Sequence, residues 1–158
     1  LVLRPNGTLV AVIRSEGFGR QSFWADLWIT TSNDGGKEWS RLRQFNPFGV
    51  YPKLLELTNG VLVASYGRPG VEMRFCTDPN GMQWSDPYSV HPRLGIPASE
   101  YCCSLDSTCG YTGLVATGPD SFLIVYSDFY HRDADWTLHK AIKVREVKVR
   151  MKQEHTSQ

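Results

Sequence analysis

The chain has 158 residues, enough for one hydrophobic core, with 41% apolar residues and a formal net charge of +1. Nine prolines and fourteen glycines interrupt it too often for long helices, and no apolar run is long enough for a helix to cross a bilayer. The near-neutral balance gives no electrostatic case for binding nucleic acid or an anionic membrane. The sequence opens on Leu1-Val2-Leu3, without Met and inside an apolar run, so the natural start is expected upstream and the compartment stays open.

In chain order, the first phrase is Asn6-Gly7-Thr8-Leu9-Val10-Ala11-Val12-Ile13-Arg14. Asn-Gly beside an apolar run is a strong hairpin signal, so a strand is expected to follow the turn. Leu27-Trp28-Ile29-Thr30 reads as the next strand, and it runs into Ser32-Asn33-Asp34-Gly35-Gly36-Lys37-Glu38-Trp39. An Asp in such a turn can accept backbone N–H groups of its own loop, and Gly supplies the positive φ. The Trp is expected to fold over the turn and bury it. The phrases then repeat. Tyr51 to Leu57 reads as the first strand of a new unit, followed by Asn59-Gly60 and a second strand ending at Arg68. Met73-Arg74-Phe75 is the third strand, and Cys76-Thr77-Asp78-Pro79-Asn80-Gly81-Met82-Gln83-Trp84 is a looser copy of the turn. The two turn tryptophans lie 45 residues apart, a period suited to one four-stranded sheet.

A third unit starts at Tyr111 to Ala116 and continues through Gly118-Pro119-Asp120 into Ser121 to Tyr126. It lacks the Asp/Trp turn. From Trp136 to Arg150 the apolar positions move from Ile142 and Val144 to Val147 and Val149, which predicts a bulge at Arg145-Glu146. The Lys and Arg residues of this stretch read as the solvated side of an edge strand. The expected organisation is three units, 1–45, 50–90 and 110–150, and a polar tail, 151–158. Of the four cysteines, the neighbours Cys102 and Cys103 are poorly placed to bridge each other, which leaves free thiols or one bridge involving Cys109. No His/Cys spacing suits zinc, and the turns lack the ligand series of a calcium loop, so neither metal nor cofactor is expected. Asn6-Gly7-Thr8 is a formal glycosylation sequon whose turn role argues against occupancy.

These phrases resemble the sialidase (neuraminidase) superfamily and its bacterial-neuraminidase-repeat relatives. The Asp-box pattern S-x-D-x-G-x-x-W is met by Ser32, Asp34, Gly36 and Trp39, while the second copy has Cys76 for Ser and one extra residue before Gly81. The resemblance implies an all-β chain: a partial β-propeller of about three four-stranded blades, half of a six-bladed ring. It implies that the Asp turns are structural, because they sit on the blade periphery.

It also implies a site. Sialidases hold the substrate carboxylate with an arginine triad and attack with a tyrosine assisted by a glutamate, an aspartate serving as acid/base. A phenol avoids the like-charge repulsion that a carboxylate nucleophile would meet, but needs an adjacent base. Paired guanidinium N–H bonds suit the carboxylate. Arg14 matches the second triad arginine, Arg68 the third, and Tyr111, in Cys109-Gly110-Tyr111-Thr112-Gly113, the nucleophile. The chain has Thr112 where the family usually has Ser. Asp106, Asp128 and Tyr51 are lesser candidates at the same end, and Glu16 reads as loop. The first arginine, the acid/base aspartate and the assisting glutamate belong to parts of the family pattern that this sequence does not contain. The implied partner is an acidic sugar such as a sialoside. Missing N-terminal blades would be needed for closure, and the chain alone is expected to be inactive and prone to self-association. The alternatives are a propeller that binds carbohydrate or protein without catalysis, and a hydrolase or lyase acting on another acidic sugar.

Overall fold

The computed structural model describes residues 1–15, 26–68, 70–91 and 110–150. The fold is all-β: among the described residues eleven strands form three antiparallel sheets, and there is no helix. Sheet 1 contains β1 (Val2–Leu3), β2 (Leu9–Arg14), β3 (Leu27–Ser32) and β4 (Arg43–Asn46) in sequential order. Sheet 2 repeats this order with β5 (Val50–Glu56), β6 (Leu62–Gly67), β7 (Val71–Cys76) and β8 (Tyr88–His91). Sheet 3 has β9 (Thr112–Ala116), β10 (Ser121–Arg132) and β11 (Leu138–Lys148), three strands, as expected of a last blade without its fourth strand.

The turn chemistry explains the hairpins. Asn6 and Asn59 each accept, through Oδ1, the N–H two residues on (3.0 and 3.1 Å), and Gly7 and Gly60 take φ of 86° and 85°. In the two longer turns Asp34 accepts the N–H groups of Lys37 and Glu38, and Asp78 accepts those of Asn80, Met82 and Gln83. The N–H of Glu38, with the Ser32 hydroxyl, holds the Asp34 carboxyl below its ordinary pKa. Trp39 and Trp84 each donate their indole N–H to the carbonyl of the turn glycine, Gly36 and Gly81 (3.0 and 2.9 Å). Burial of the turn by Trp occurs only in the second copy. Trp84 stacks edge-on against Phe45 of sheet 1, ring centroids 5.1 Å apart, whereas Trp39 is 43% exposed.

Alternation along the strands places sheet 2 between two apolar clusters. Leu62, Ala64 and Tyr66 face Val10, Val12, Leu27, Ile29 and Phe45 of sheet 1. Val61, Val63, Val71 and Met73 face Phe122, Ile124 and Tyr126 of sheet 3. Each fully buried Leu or Val on these faces contributes about 1.5–3 kcal/mol. The first strands of the sheets meet: β5 touches both β1 and β9. The sheets are therefore arranged side by side around their inner strands, in a partial, unclosed propeller-like layout.

Two expectations for the last strand are corrected. The β10–β11 register is unbroken from Ser121↔Lys148 to Asp128↔Ala141, so no bulge falls at Arg145-Glu146; the irregularity lies between Asp128 and His131. Val147 and Val149 pack on the core while Ile142 and Val144 point to the opposite side, which is ordinary alternation on a two-faced strand. The basic side chains are also not all solvated. Lys143 turns inward and pairs with Asp128 at 2.7 Å. Cys76 is a buried free thiol, and the other three cysteines lie outside the described residues.

Candidate functional site

The starts of the first strands and the ends of the second strands lie at one end of the sheets, because each pair is antiparallel. Val50 pairs with Gly67, and Thr112 with Tyr126. Tyr51, Arg68, Tyr111 and Arg14 all belong to this end.

Tyr51 is aimed by a bulge. Val50 pairs with Gly67 and Lys53 with Ser65, so Tyr51 and Pro52 together oppose Tyr66. Pro52 has no N–H to give to a ladder, which suits it to this irregularity. Tyr51 has a φ of 51°, left-handed for a bulky residue. Its ring meets that of Tyr111 edge-to-face, with centroids 4.7 Å apart, and the Lys53 ammonium lies 4.0 Å from its centroid. Both tyrosines remain exposed, at 49% and 60%. Below them, the buried hydroxyls of Ser65 and Thr112 share a 2.8 Å hydrogen bond that joins sheets 2 and 3. The Gly110 N–H donates to Ser127 Oγ at 3.0 Å, fixing the chain just before Tyr111.

Arg68 follows the last residue of β6 with a φ of 58°. Holding a non-glycine residue there costs about 1–2 kcal/mol, and such strain concentrates at functional sites. Its side chain is half-buried, and its Nε has no hydrogen-bond partner. Arg14 is the last residue of β2, exposed, and opposite Leu27. The structure thus brings Tyr111 into contact with Tyr51, a lesser candidate in the sequence, and puts the two arginines at the same end on sheets 1 and 2. Among the described residues no carboxylate is hydrogen-bonded to the Tyr111 hydroxyl. Asp106 and Glu16 lie outside the described residues.

Asp128, a lesser candidate in the sequence, is not open to solvent. It is buried, paired with Lys143, and 3.7 Å from His91 Nε2. Burial pushes the His91 pKa below 6.5, reinforced by Lys143 and Arg145 and opposed by Asp128. The hydroxyl of buried Tyr126, whose ring is 5.8 Å from that of His91, has no hydrogen-bond partner. This group carries no sequence signature, because its members come from three strands that alternation alone brings together. Among the described residues no three or more His, Cys, Asp or Glu side chains gather as a metal site.

No family model matches the sequence, and no curated protein is detectably similar. Solved structures do share the fold. A protein of unknown function from Dyadobacter fermentans DSM 18053 superposes with a TM-score of 0.63 at 19% identity, over 92% of this chain and 36% of its own. An ulvan lyase of polysaccharide lyase family PL25, bound to -[GlcA(1-4)Rha3S]-, superposes with a TM-score of 0.52 at 17% identity, over 80% of this chain and 30% of its own. The same lyase fold without that ligand matches equally. The chain therefore spans about a third of the length of the structures it resembles. At these identities the likeness is one of fold.

Proposed function

We propose that the chain is part of a carbohydrate-active propeller whose ligand is an acidic sugar, a sialoside or a close relative. In this reading Arg14 and Arg68 take the sugar carboxylate, and Tyr111 faces the anomeric carbon as the nucleophile of a sialidase-type hydrolase. The observation that carries the reading is the strained, half-buried Arg68, with an unpaired Nε, at the same end of the sheets as the Tyr51–Tyr111 pair. A guanidinium with an unpaired Nε at the same end of the sheets as exposed aromatic rings suits a ligand with one carboxylate and one apolar face. The ulvan lyase complex supports the broader class, since its ligand also contains an acidic sugar. Further sheets would complete the ring and bring the first arginine, the acid/base aspartate and the base for Tyr111. The chain alone should therefore bind without turning substrate over.

A second reading is a propeller that binds acidic carbohydrate without catalysis. In that reading the exposed Tyr51–Tyr111 pair serves as a stacking platform for a sugar face. Titrating the chain with N-acetylneuraminic acid, glucuronic acid and neutral glucose, followed by NMR, tests the shared part. The acids should bind and glucose should not, and Arg68→Ala should weaken acid binding about tenfold or more, the worth of a charge-assisted hydrogen bond. Equal binding of glucose, or an Arg68→Ala variant that binds as well as the parent, would refute it. Release of fluorophore from a sialoside by a longer form of the protein, lost in Tyr111→Phe, separates hydrolase from binder.

A further inference from the structure

The β10–β11 hairpin outruns its own sheet. β9 pairs with β10 only from Phe122 to Tyr126, yet β10 stays paired with β11 as far as Arg132↔Leu138. Tyr126 lies opposite Thr112, the residue after Tyr111, so the extra length leaves the sheet at the end that carries the Tyr51–Tyr111 pair. At about 3.3 Å per residue, the two-stranded ribbon adds about 20 Å of strand there. Its base is fixed from two sides. Ser127 Oγ accepts the Gly110 N–H, and buried Asp128 pairs across the ribbon with Lys143 at 2.7 Å.

The tip is built around Asp133. Its carboxylate accepts the N–H groups of Asp135 and Thr137, both at 2.9 Å, and lies 2.7 Å from His139 Nε2. Those bonds, the one with His139 foremost, hold its pKa below the ordinary carboxylate range, so it stays ionised and keeps accepting. The Trp136 N–H closes the turn on the Asp133 carbonyl at 3.1 Å, and Arg132 Nη1 donates to the Trp136 carbonyl at 2.8 Å. This frame holds Trp136 at a φ of 63°, which a bulky residue adopts only where its surroundings impose it. The indole it presents is 75% exposed, with the Arg132 guanidinium 5.8 Å from its centroid. A single apolar ring is thus fixed in solvent among Arg132, Asp133, Asp135 and His139. A protein or lipid surface calls for a wider apolar patch, and two carboxylates beside the ring oppose an anionic membrane. A sugar fits both parts: its C–H face stacks on the ring and its hydroxyls meet the charged rim.

We propose that Trp136 and Arg132 form an outer subsite, which takes a second sugar residue of a ligand whose acidic residue occupies the mouth. The ligand is then an acidic oligosaccharide, recognised over more than its terminal unit. This rests on the acidic-sugar reading of the mouth and deepens it. The outer contact is made by a ligand already held, so it adds affinity without a second loss of overall freedom.

NMR titrations of the chain with sialyllactose against free N-acetylneuraminic acid, and with oligoglucuronate against glucuronic acid, test it. The longer ligand of the acid that the mouth prefers should bind about five- to tenfold tighter, the worth of one aromatic contact. It should also shift the Trp136 indole N–H signal, which the free acid leaves in place. Trp136→Asn suits a left-handed backbone better than Trp, so it should melt no lower than the parent while bringing the affinity ratio close to one. Trp136→Phe should keep part of the preference. Arg68→Ala should weaken long and short ligands alike. Equal affinity of the parent for both lengths, or an Asn variant that keeps the preference, overturns the outer subsite and leaves the mouth reading standing. Binding of neither acid at either length overturns both. Sedimentation of the chain with phosphatidylserine vesicles, lost in Trp136→Asn, with no sugar moving the Trp136 signal, also overturns the subsite and makes the tip a membrane contact.

Discussion

Replacing Arg4 with methionine should be among the most damaging single changes outside the apolar clusters. Arg4 sits in the turn between β1 and β2, buried, and its guanidinium crosses to sheet 2. Nε pairs with Glu56 Oε1 at 3.2 Å, Nη2 donates to the Gly60 carbonyl at 3.1 Å, and Nη1 donates to the Asp78 carbonyl. Its side chain and that of Glu56 are 6% and 11% exposed. One residue therefore pins both turns of sheet 2 to sheet 1. Met fills much of the volume but leaves a buried carboxylate whose Oε2 already has no hydrogen-bond partner, together with two carbonyls that lose a donor. Breaking a buried ion pair from one side costs about 3–5 kcal/mol, a large share of the roughly 5–15 kcal/mol that holds a domain together. With a urea m-value of about 2 kcal/mol/M, the midpoint should fall by roughly 2 M. Urea denaturation monitored by tryptophan fluorescence, at a dilution where the chain is monomeric, measures this. The double variant Arg4→Met/Glu56→Leu should recover most of the loss, because the orphaned charge is gone. A loss below about 1 kcal/mol for Arg4→Met, or no recovery in the double variant, would refute the buried-pair reasoning.

Two further changes separate packing from backbone and from titration. Gly81 has a φ of 70°, and a Cβ there would lie 2.5 Å from Val10 Cγ2 on the neighbouring sheet, whereas Gly60 has a similar φ of 85° with open space around it. Gly60→Ala should cost about 1 kcal/mol and Gly81→Ala about 2–4 kcal/mol, read from thermal melts. Equal losses would show that the close approach of the turn to sheet 1 is unimportant. For His91, burial lowers the folded-state pKa below 6.5, so the stability it contributes is full above pH 6.5 and is lost as the pH falls through the lowered value. Between pH 7 and pH 5 the parent should weaken more than His91→Phe does. Parallel stability curves for the two proteins would contradict the assignment.

The fold was legible where a side chain satisfies its own backbone. Asn6-Gly7, Asn59-Gly60 and the Asp34 and Asp78 turns each carry their hydrogen bonds within a few residues, so spacing alone exposes them. Long-range features were not. Arg4 looks like a surface residue until Glu56 and two carbonyls of sheet 2 reach it. The shift from Ile142 and Val144 to Val147 and Val149 suggested a bulge only because both sets were assumed to face one core. In the structure they serve two faces, one of them open. At the candidate site the sequence supplied Arg14, Arg68 and Tyr111 through resemblance, but not the bulge that turns Tyr51 onto Tyr111, nor the left-handed backbone of Arg68. Those depend on register between strands. The surroundings of Asp128 were not legible either, because nothing local reveals that Lys143 and His91 arrive from other strands to cover it.

The acidic-sugar account is tested most directly by a crystal structure of the chain with bound N-acetylneuraminic acid. The account predicts the carboxylate within hydrogen-bond distance of the Arg14 and Arg68 guanidiniums, with the anomeric carbon about 3–3.5 Å from the Tyr111 hydroxyl, as a near-attack geometry requires. A sugar bound elsewhere, such as in the cleft between Tyr88 and Arg145, or one whose carboxylate touches neither arginine, would contradict it.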